Sequence, residues 1–312
     1  MAKTNIEIAI CTWNRAELLR KTLDNLKNVS HKWREVANWR VIFVDNNSTD
    51  QTKSVADQFK NLIELEYVFE PKQGHVFARN KAIDVAQGDL ILWTDDDVLV
   101  DENWLPAYVA ASISQPDYSF WGSKIVPTFL AVRPQWVQDN WSKVKGCFAE
   151  RDLGNSSFSF DYDTLPYGAN FAIRTEIQKS HPFNHSLGRS GAIVVGEDEI
   201  ELFRRLLAER HSGSWIPDAK VQHLIDAERS TPEFVGRYFE GQGRALVTRQ
   251  QGWTDDIQSL RKEASHELFW YRMKRHFTRS EVWVSHLIRG SLAKGQVQAT
   301  EAIRSQKTSC NE

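Results

Sequence analysis

The sequence predicts an α/β fold: a mostly parallel central sheet flanked by helices, followed by a helical C-terminal extension. Three observations point there. Short apolar runs alternate with segments whose apolar residues recur at helical spacing. Polar, turn-forming residues close the runs. Beyond residue 230 the strand-like runs give way to helical pattern. Residues 6–10 (IEIAI) read as a buried first strand that ends in the polar CTWNR. Leu18, Leu19, Leu23 and Leu26 carry helical spacing through 15–26. Residues 41–44 (VIFV) form the second strand, and DNNSTD after them is turn chemistry. A helix is expected over 51–59, a strand over 65–69, and a helix over 75–86 after Gly74. Residues 89–93 (DLILW) are the fourth strand, followed by a helix over 101–112 with Asp101 as its N-cap. The pattern then weakens. A strand is expected within 119–126, an irregular insertion over 127–165, a strand over 168–173, a helix over 199–209 and a short strand over 221–225.

The 312 residues suit one large α/β domain with an extension, and 41 % hydrophobic with 26 % charged residues is a globular mixture. A formal net charge of −2 excludes the global basic field of a nucleic-acid binder. Cys11, Cys147 and Cys310 are widely spaced and contain no CxxC, which argues against a disulfide scaffold and a structural zinc site. No run of about 18 apolar residues exists to span a membrane, and the N-terminus lacks a secretory pattern. A cytoplasmic chain is expected, with the inner face of the membrane open to it.

Chemistry concentrates at strand ends, where open α/β sheets bind ligands. Asp95, Asp96 and Asp97 follow the fourth strand directly. Adjacent carboxylates repel one another unless a cation or hydrogen-bond donors offset the charge. A hard divalent ion such as Mg²⁺ or Mn²⁺ does this and also holds a diphosphate. A solvated acidic turn capping the next helix is the plainer alternative. Asp45 stands just past the second strand, where an acidic residue can accept a hydrogen bond from a base or ribose; DNNS can also close an Asx-turn on itself. Neither GxGxxG nor GxxxxGK[ST] occurs, so dehydrogenase and kinase readings lose their main support.

Taken in order, IAICTWNR (8–15), VDNNSTD (44–50), Gly74 with ARN (78–80), WTDDD (93–97), GANFAIR (168–174), GED (196–198) and VQH (221–223) resemble family 2 glycosyltransferases. The resemblance covers about residues 5–245. It implies a GT-A fold over 1–250, with a Rossmann-like, nucleotide-sugar-binding half (1–112), an acceptor half (113–250) and a basic extension (251–312). It further implies a nucleotide-sugar donor, UDP-linked by default, Mn²⁺ or Mg²⁺ as cofactor, and inversion at the anomeric carbon. Thr12 and Arg15 would line the base pocket with Asn14, and Asp45 would bind the base beside Asn47. Arg79 would contact the nucleotide, Asp95 the ribose and Asp97 the metal, with Asp96 between them able to help either. Asp95 also counts among the metal ligands, with Asp97 and His223. Asn170 would border the donor sugar. The base would be Asp198 on the GED match, or Glu199 on the downstream helix; the plainer alternative for these acids is a charged helix N-terminus. The acceptor is a glycan, a lipid-linked sugar or a protein. A catalytically inactive nucleotide-sugar-binding protein and a nucleotidyltransferase are the alternatives; intact acids oppose the first, and the absence of glycines after the first strand opposes the second.

Trp136, Trp141 and Tyr167 can stack on a sugar ring, although packing is the commoner role of any one of them. The segments 127–165 and 184–196, the latter with Gly188 and Gly191, are expected to act as lids. Residues 260–294 carry eight Lys and Arg against three Glu, +5 formally, interleaved with Phe269, Trp270, Phe277 and Trp283. Two readings stay open for them: a helical cap packed on the domain or on a second subunit, and a helix lying on an anionic membrane.

Overall fold

The structure is a computed structural model and describes residues 3–185, 187, 198–249 and 256–309, without the side chains of 249 and 306–309. Its first half alternates as expected: β1 (Thr4–Thr12), α1 (Ala16–Val29), α2 (Trp33–Val36), β2 (Ala37–Asp45), α3 (Thr52–Phe59), β3 (Leu65–Phe69), α4 (His75–Val85), β4 (Leu90–Asp95), β5 (Val98–Val100) and α5 (Trp104–Ser114). There follow β6 (Tyr118–Gly122), β7 (Ile125–Phe129), α6 (Gln135–Asp139), α7 (Trp141–Val144), β8 (Phe158–Ser159), β9 (Asn170–Arg174), α8 (Thr175–Ser180), α9 (Asp198–Ala208), β10 (Ser212–Trp215) and β11 (Val221–Ile225). Three long helices close the chain: α10 (Pro232–Arg249), α11 (Ile257–Lys274) and α12 (Ser280–Ser309).

The main sheet has the order β3-β2-β1-β4-β9-β6-β10-β8. β1 runs parallel to β2 and β4, and β2 parallel to β3, whereas β9 is antiparallel to both β4 and β6. Because successive strand side chains point to opposite faces, each central strand feeds two cores. Ile6, Ile8, Ile10, Val41, Phe43 and Leu92 pack on one face with Leu19, Leu23 and Leu26 of α1. Ala9, Ile42, Val44, Ile91 and Trp93 pack on the other with Ala78 and Ala82 of α4 and Leu202, Phe203 and Leu206 of α9. α4 and α9 therefore share a face, which matters for the site below.

Several expectations shift. Asp101 does not cap α5: its carboxylate accepts from the Asn103 N–H at 3.0 Å and shapes a turn ahead of the helix, which starts at Trp104. The single strand expected within 119–126 is two strands in different sheets, β6 and β7. β5 was not anticipated; it pairs antiparallel with β11 in a small sheet of order β5-β11-β7. The segment 127–165 is not wholly irregular, since α6, α7 and β8 lie within it. The lid expected over 184–196 lies outside the described residues except for 184, 185 and 187.

Packing divides the chain into two units. One holds the elements up to Thr128 together with β8, β9, α8, α9, β10 and residues to Leu224; the other holds Phe129–Phe148 and the chain from Ile225. In the latter unit α10 and α12 cross with their backbones in contact: a Cβ on Gly243 would sit 2.1 Å from the Leu292 carbonyl oxygen, and one on Gly295 1.9 Å from that of Glu240. Only glycine permits such an approach. In this second unit Trp136 meets Trp283 at 5.3 Å and Trp141 stacks on Phe148 at 5.6 Å, within a cluster that includes Val284 and Leu287. Tyr167, in the first unit, lies under the Arg151 guanidinium at 4.7 Å. All three aromatic residues are packing groups here.

Candidate active site

Strand register brings the motif residues to one edge. Thr12 stands opposite Asp45, and Cys11 opposite Asp95, at the carboxyl ends of β1, β2 and β4. The loops after β1 and β2 are laced together: the Asn14 N–H donates to Ser48 Oγ at 3.0 Å, and the Thr49 N–H donates to Asn14 Oδ1 at 2.7 Å. Both loops turn through left-handed residues, Asn14 (φ 53°) and Asn47 (φ 64°), a conformation asparagine tolerates better than most residues. Asp50 joins them to the helices, accepting from the N–H groups of Ala16 at 3.1 Å and Thr52 at 3.0 Å at the starts of α1 and α3.

The three consecutive aspartates divide. Asp96 is buried, accepting a hydrogen bond from the Thr12 hydroxyl and one from Arg15 Nη1 at 2.9 Å. The same Arg15 nitrogen reaches Asp97 Oδ2 at 2.9 Å. Asp96, then Asp97, hold the Arg15 guanidinium charged against the pull of burial, while burial pushes the Asp96 carboxyl up. Asp97 Oδ1 faces His223 Nε2 at 3.2 Å. That meeting depends on β5: His223 pairs with Val98, and the Leu224 N–H donates to the Asp97 carbonyl at 2.8 Å. Asp95, Asp97 and His223 each offer a ligand atom within 4.8 Å of the others. Two carboxylates and an imidazole in that space fit a divalent cation.

A second group adjoins it. Arg79 of α4 is buried between the rings of Trp93 at 5.7 Å and Phe183 at 5.0 Å. Its Nη1 donates to Asp198 Oδ2 at 2.7 Å and lies 3.4 Å from Glu199 Oε2. Burial pulls the guanidinium down, but Asp198, Glu199 and Asp95 outweigh it and keep it charged. The influence of Asp95 on Arg79 ties this pair to the strand-end carboxylates. Gly168 leaves the needed room, since a Cβ there would lie 2.6 Å from Arg79 Nη2. Among the described residues, Asp198 Oδ1 is buried with no hydrogen-bond partner.

The sequence profile of Glycosyl transferase family 2 matches residues 7–173, more than half of the chain. The chain belongs to this family. A glucosyl-dolichyl phosphate glucuronosyltransferase of Haloferax volcanii is 22 % identical over 205 residues, covering 64 % of this chain, and the chain spans 63 % of that protein's length. The succinoglycan biosynthesis protein ExoM of Rhizobium meliloti is 25 % identical over 264 residues, 80 % of this chain and 77 % of that one. Among solved structures, the mannosyltransferase PcManGT of Pyrobaculum calidifontis, in complex with GDP-Man and Mn²⁺, aligns with a TM-score of 0.61 at 16 % identity, covering 96 % of this chain and 88 % of its own. TarS residues 1–349 of S. aureus align with a TM-score of 0.52 at 14 % identity, covering 97 % and 92 %. The architecture is that of the GT-A glycosyltransferases.

The structure gives the residues named by the family resemblance these places. Thr12, expected in the base pocket, bonds Asp96, and Arg15, expected there too, bonds Asp96 and Asp97. Asp96, expected to help bind donor or metal, is buried between them. Arg79, expected on the nucleotide, pairs with Asp198. Asn170, expected beside the donor sugar, is fully buried with its amide fully bonded. Its Oδ1 accepts from Trp104 Nε1 at 2.8 Å and Tyr108 OH at 2.9 Å, and its Nδ2 donates to the carbonyls of Lys124 at 2.9 Å and Ala219 at 2.7 Å. Asp45 is buried at its strand end. It closes the Asx-turn through Ser48 N–H at 2.9 Å and accepts from Tyr67 OH at 2.8 Å, and each oxygen keeps a second lone pair. Asn47 is exposed in its turn. Sequence reasoning missed the ring cradle of Trp93 and Phe183; no spacing links these positions to Arg79.

If Arg79 is the counter-charge, Arg79→Met strands the buried Asp198 carboxylate and should cost about 3–5 kcal/mol in denaturant unfolding. Adding Asp198→Asn to that variant should restore part of the loss. A cost below about 1 kcal/mol for Arg79→Met would show that the pair is not an anchor.

Proposed function

We propose that the chain transfers a sugar from a nucleotide-sugar donor to a hydroxyl of a glycan, glycolipid or protein acceptor, by a single in-line displacement that inverts the anomeric carbon. The observation that carries this reading is the grouping of Asp95, Asp97 and His223 at the carboxyl edge of the sheet, together with the buried Asp198, whose Oδ1 has no hydrogen-bond partner among the described residues. Asp95, Asp97 and His223 would hold the divalent ion, Mn²⁺ or Mg²⁺. When bound, that ion supplies Lewis-acid stabilisation of the charge on the departing diphosphate. Asp198 accepts the acceptor's hydroxyl proton at Oδ1, the oxygen that Arg79 does not occupy, as the hydroxyl oxygen attacks. Arg79 fixes the carboxylate's orientation through Oδ2, and the Trp93 and Phe183 rings keep water from the guanidinium. Glu199, the second candidate base, lies farther from Arg79 and sets the charge around it. Asp45 offers its remaining lone pairs to a base or ribose donor.

UDP is the default nucleotide. The GDP-Man of the Pyrobaculum enzyme supports placing guanosine donors beside it in any screen. A thermal-shift panel of UDP-, dTDP- and GDP-sugars should show stabilisation by one nucleotide class, larger with Mn²⁺. Asp198→Asn should keep that shift yet lose roughly 10²–10⁴-fold in kcat, the range of general acid–base catalysis. Unchanged turnover in Asp198→Asn would remove it as the base.

The second unit supports a membrane-surface role for this transferase. Phe269 and Met273 near the end of α11 and Phe277 in the turn after it are all exposed, Phe277 to 84 %. Trp270 and Val282 extend the patch, and Arg272, Arg275 and Arg279 stand exposed among them. Aromatic and basic residues so interleaved match an anionic bilayer surface. No helix among the described residues is long and apolar enough to cross a membrane. Relatives named for dolichyl phosphate and undecaprenol substrates favour a lipid-linked acceptor. Full-length protein should float with phosphatidylglycerol vesicles and much less with phosphatidylcholine, and Phe269→Glu with Phe277→Glu should abolish flotation. Equal flotation of wild type and double variant would exclude this face.

A further inference from the structure

A second group of metal-type donors stands at the opposite edge of the main sheet. β9 runs antiparallel to β4, with Asn170 opposite Thr94 and Arg174 opposite Leu90. α8 and His181 follow Arg174, so they lie where β4 begins and not where it ends. His211 precedes β10, whose Ser212 pairs with Tyr118 at the start of β6. His181, Glu209 and His211 each offer a ligand atom within 4.8 Å of the others.

Both imidazoles are anchored through the other ring nitrogen. His181 Nδ1 lies 2.8 Å from the Ile177 carbonyl oxygen and 3.1 Å from Ser180 Oγ. His211 Nδ1 lies 2.9 Å from Ser119 Oγ. An Nδ1–H donated to such an oxygen leaves Nε2 with the lone pair a metal needs, and this outer hydrogen bond is a regular feature of metal-bound histidine. The two rings meet edge-on at 5.4 Å. His181 Nε2 is 2.8 Å from Glu209 Oε2, a carboxylate half-exposed to solvent. The neighbouring cation, Arg205, turns to the Pro182 carbonyl at 2.8 Å and to Glu201 at 3.5 Å.

We infer that His181, Glu209 and His211 form a structural site for a borderline transition metal ion of the zinc type, separate from the Asp95, Asp97 and His223 group. Two imidazole nitrogens and one carboxylate oxygen are a zinc donor set, whereas Mg²⁺ prefers oxygens alone. The exposed side of Glu209 gives the ion an entry path and room for a water as fourth ligand. The ion takes its ligand atoms deprotonated, so any proton held between His181 Nε2 and Glu209 Oε2 leaves to solvent on binding. Glu209 directly follows α9, the helix that opens with Asp198. The ion ties the end of α8 to the end of α9 and steadies that helix from its far end.

Chelator-stripped, full-length protein titrated calorimetrically with ZnCl₂ tests this. Wild type should bind one equivalent more than His211→Ala or Glu209→Gln, and only wild type should gain melting temperature from that equivalent. Co²⁺ in its place should give a tetrahedral visible spectrum in wild type that His211→Ala lacks. Glu209→Gln changes an exposed side chain, so it decides the matter even if His211→Ala weakens the metal-free fold. The same zinc stoichiometry in wild type and Glu209→Gln, or no cobalt spectrum in wild type, would overturn the inference and leave the cluster an ion pair only.

Discussion

Crowded negative charge is the constraint from which the rest of this site follows. Register sets Asp45 and Asp95 at the ends of the two strands that flank β1, and Asp96, Asp97 and Asp198 are buried as well. Carboxylates in that density cannot all lose water without positive partners. Arg15 bridges Asp96 and Asp97, while Arg79, held between two aromatic rings, serves Asp198 and Glu199. Beside these pairs, Asp95, Asp97 and His223 bring ligand atoms within 4.8 Å of one another, a donor set that fits a divalent ion.

This division explains why motif residues that look alike have different duties. Asp96 and Asp97 are adjacent in the turn between β4 and β5, yet Asp96 is held by Thr12 and Arg15 while Asp97 also faces His223, which β11 brings alongside β5. Asn170 lies in a motif but sits behind the site, where its four hydrogen bonds lock α5 to β9 and to the backbone at Lys124 and Ala219.

Much of the fold was legible because its strands are buried on both faces and read as continuous apolar runs. β3 and β11 fall where the pattern put them, and the four parallel strands differ from it only at their ends. β5 and β10, three and four residues long, were invisible because so short a run carries no period. That loss matters, since β5 is what sets His223 against Asp97. The acids of the site were legible from their strand-end positions. Their partners were not: Arg79 and Asp198 are 119 residues apart, and the pair exists only because α4 and α9 cover the same sheet face. The second unit misled in the same way, for close packing of α10 on α12 is written in single glycines that look like any others.

The account stands on acids at parallel strand ends converging on one cation. Crystals grown with a nucleoside diphosphate and Mn²⁺, measured at the manganese absorption edge, address it directly. The expected result is an anomalous peak bounded by Asp95, Asp97 and His223, with the diphosphate against it. A manganese peak elsewhere, or a diphosphate bound away from that edge with no metal beside it, would contradict the account.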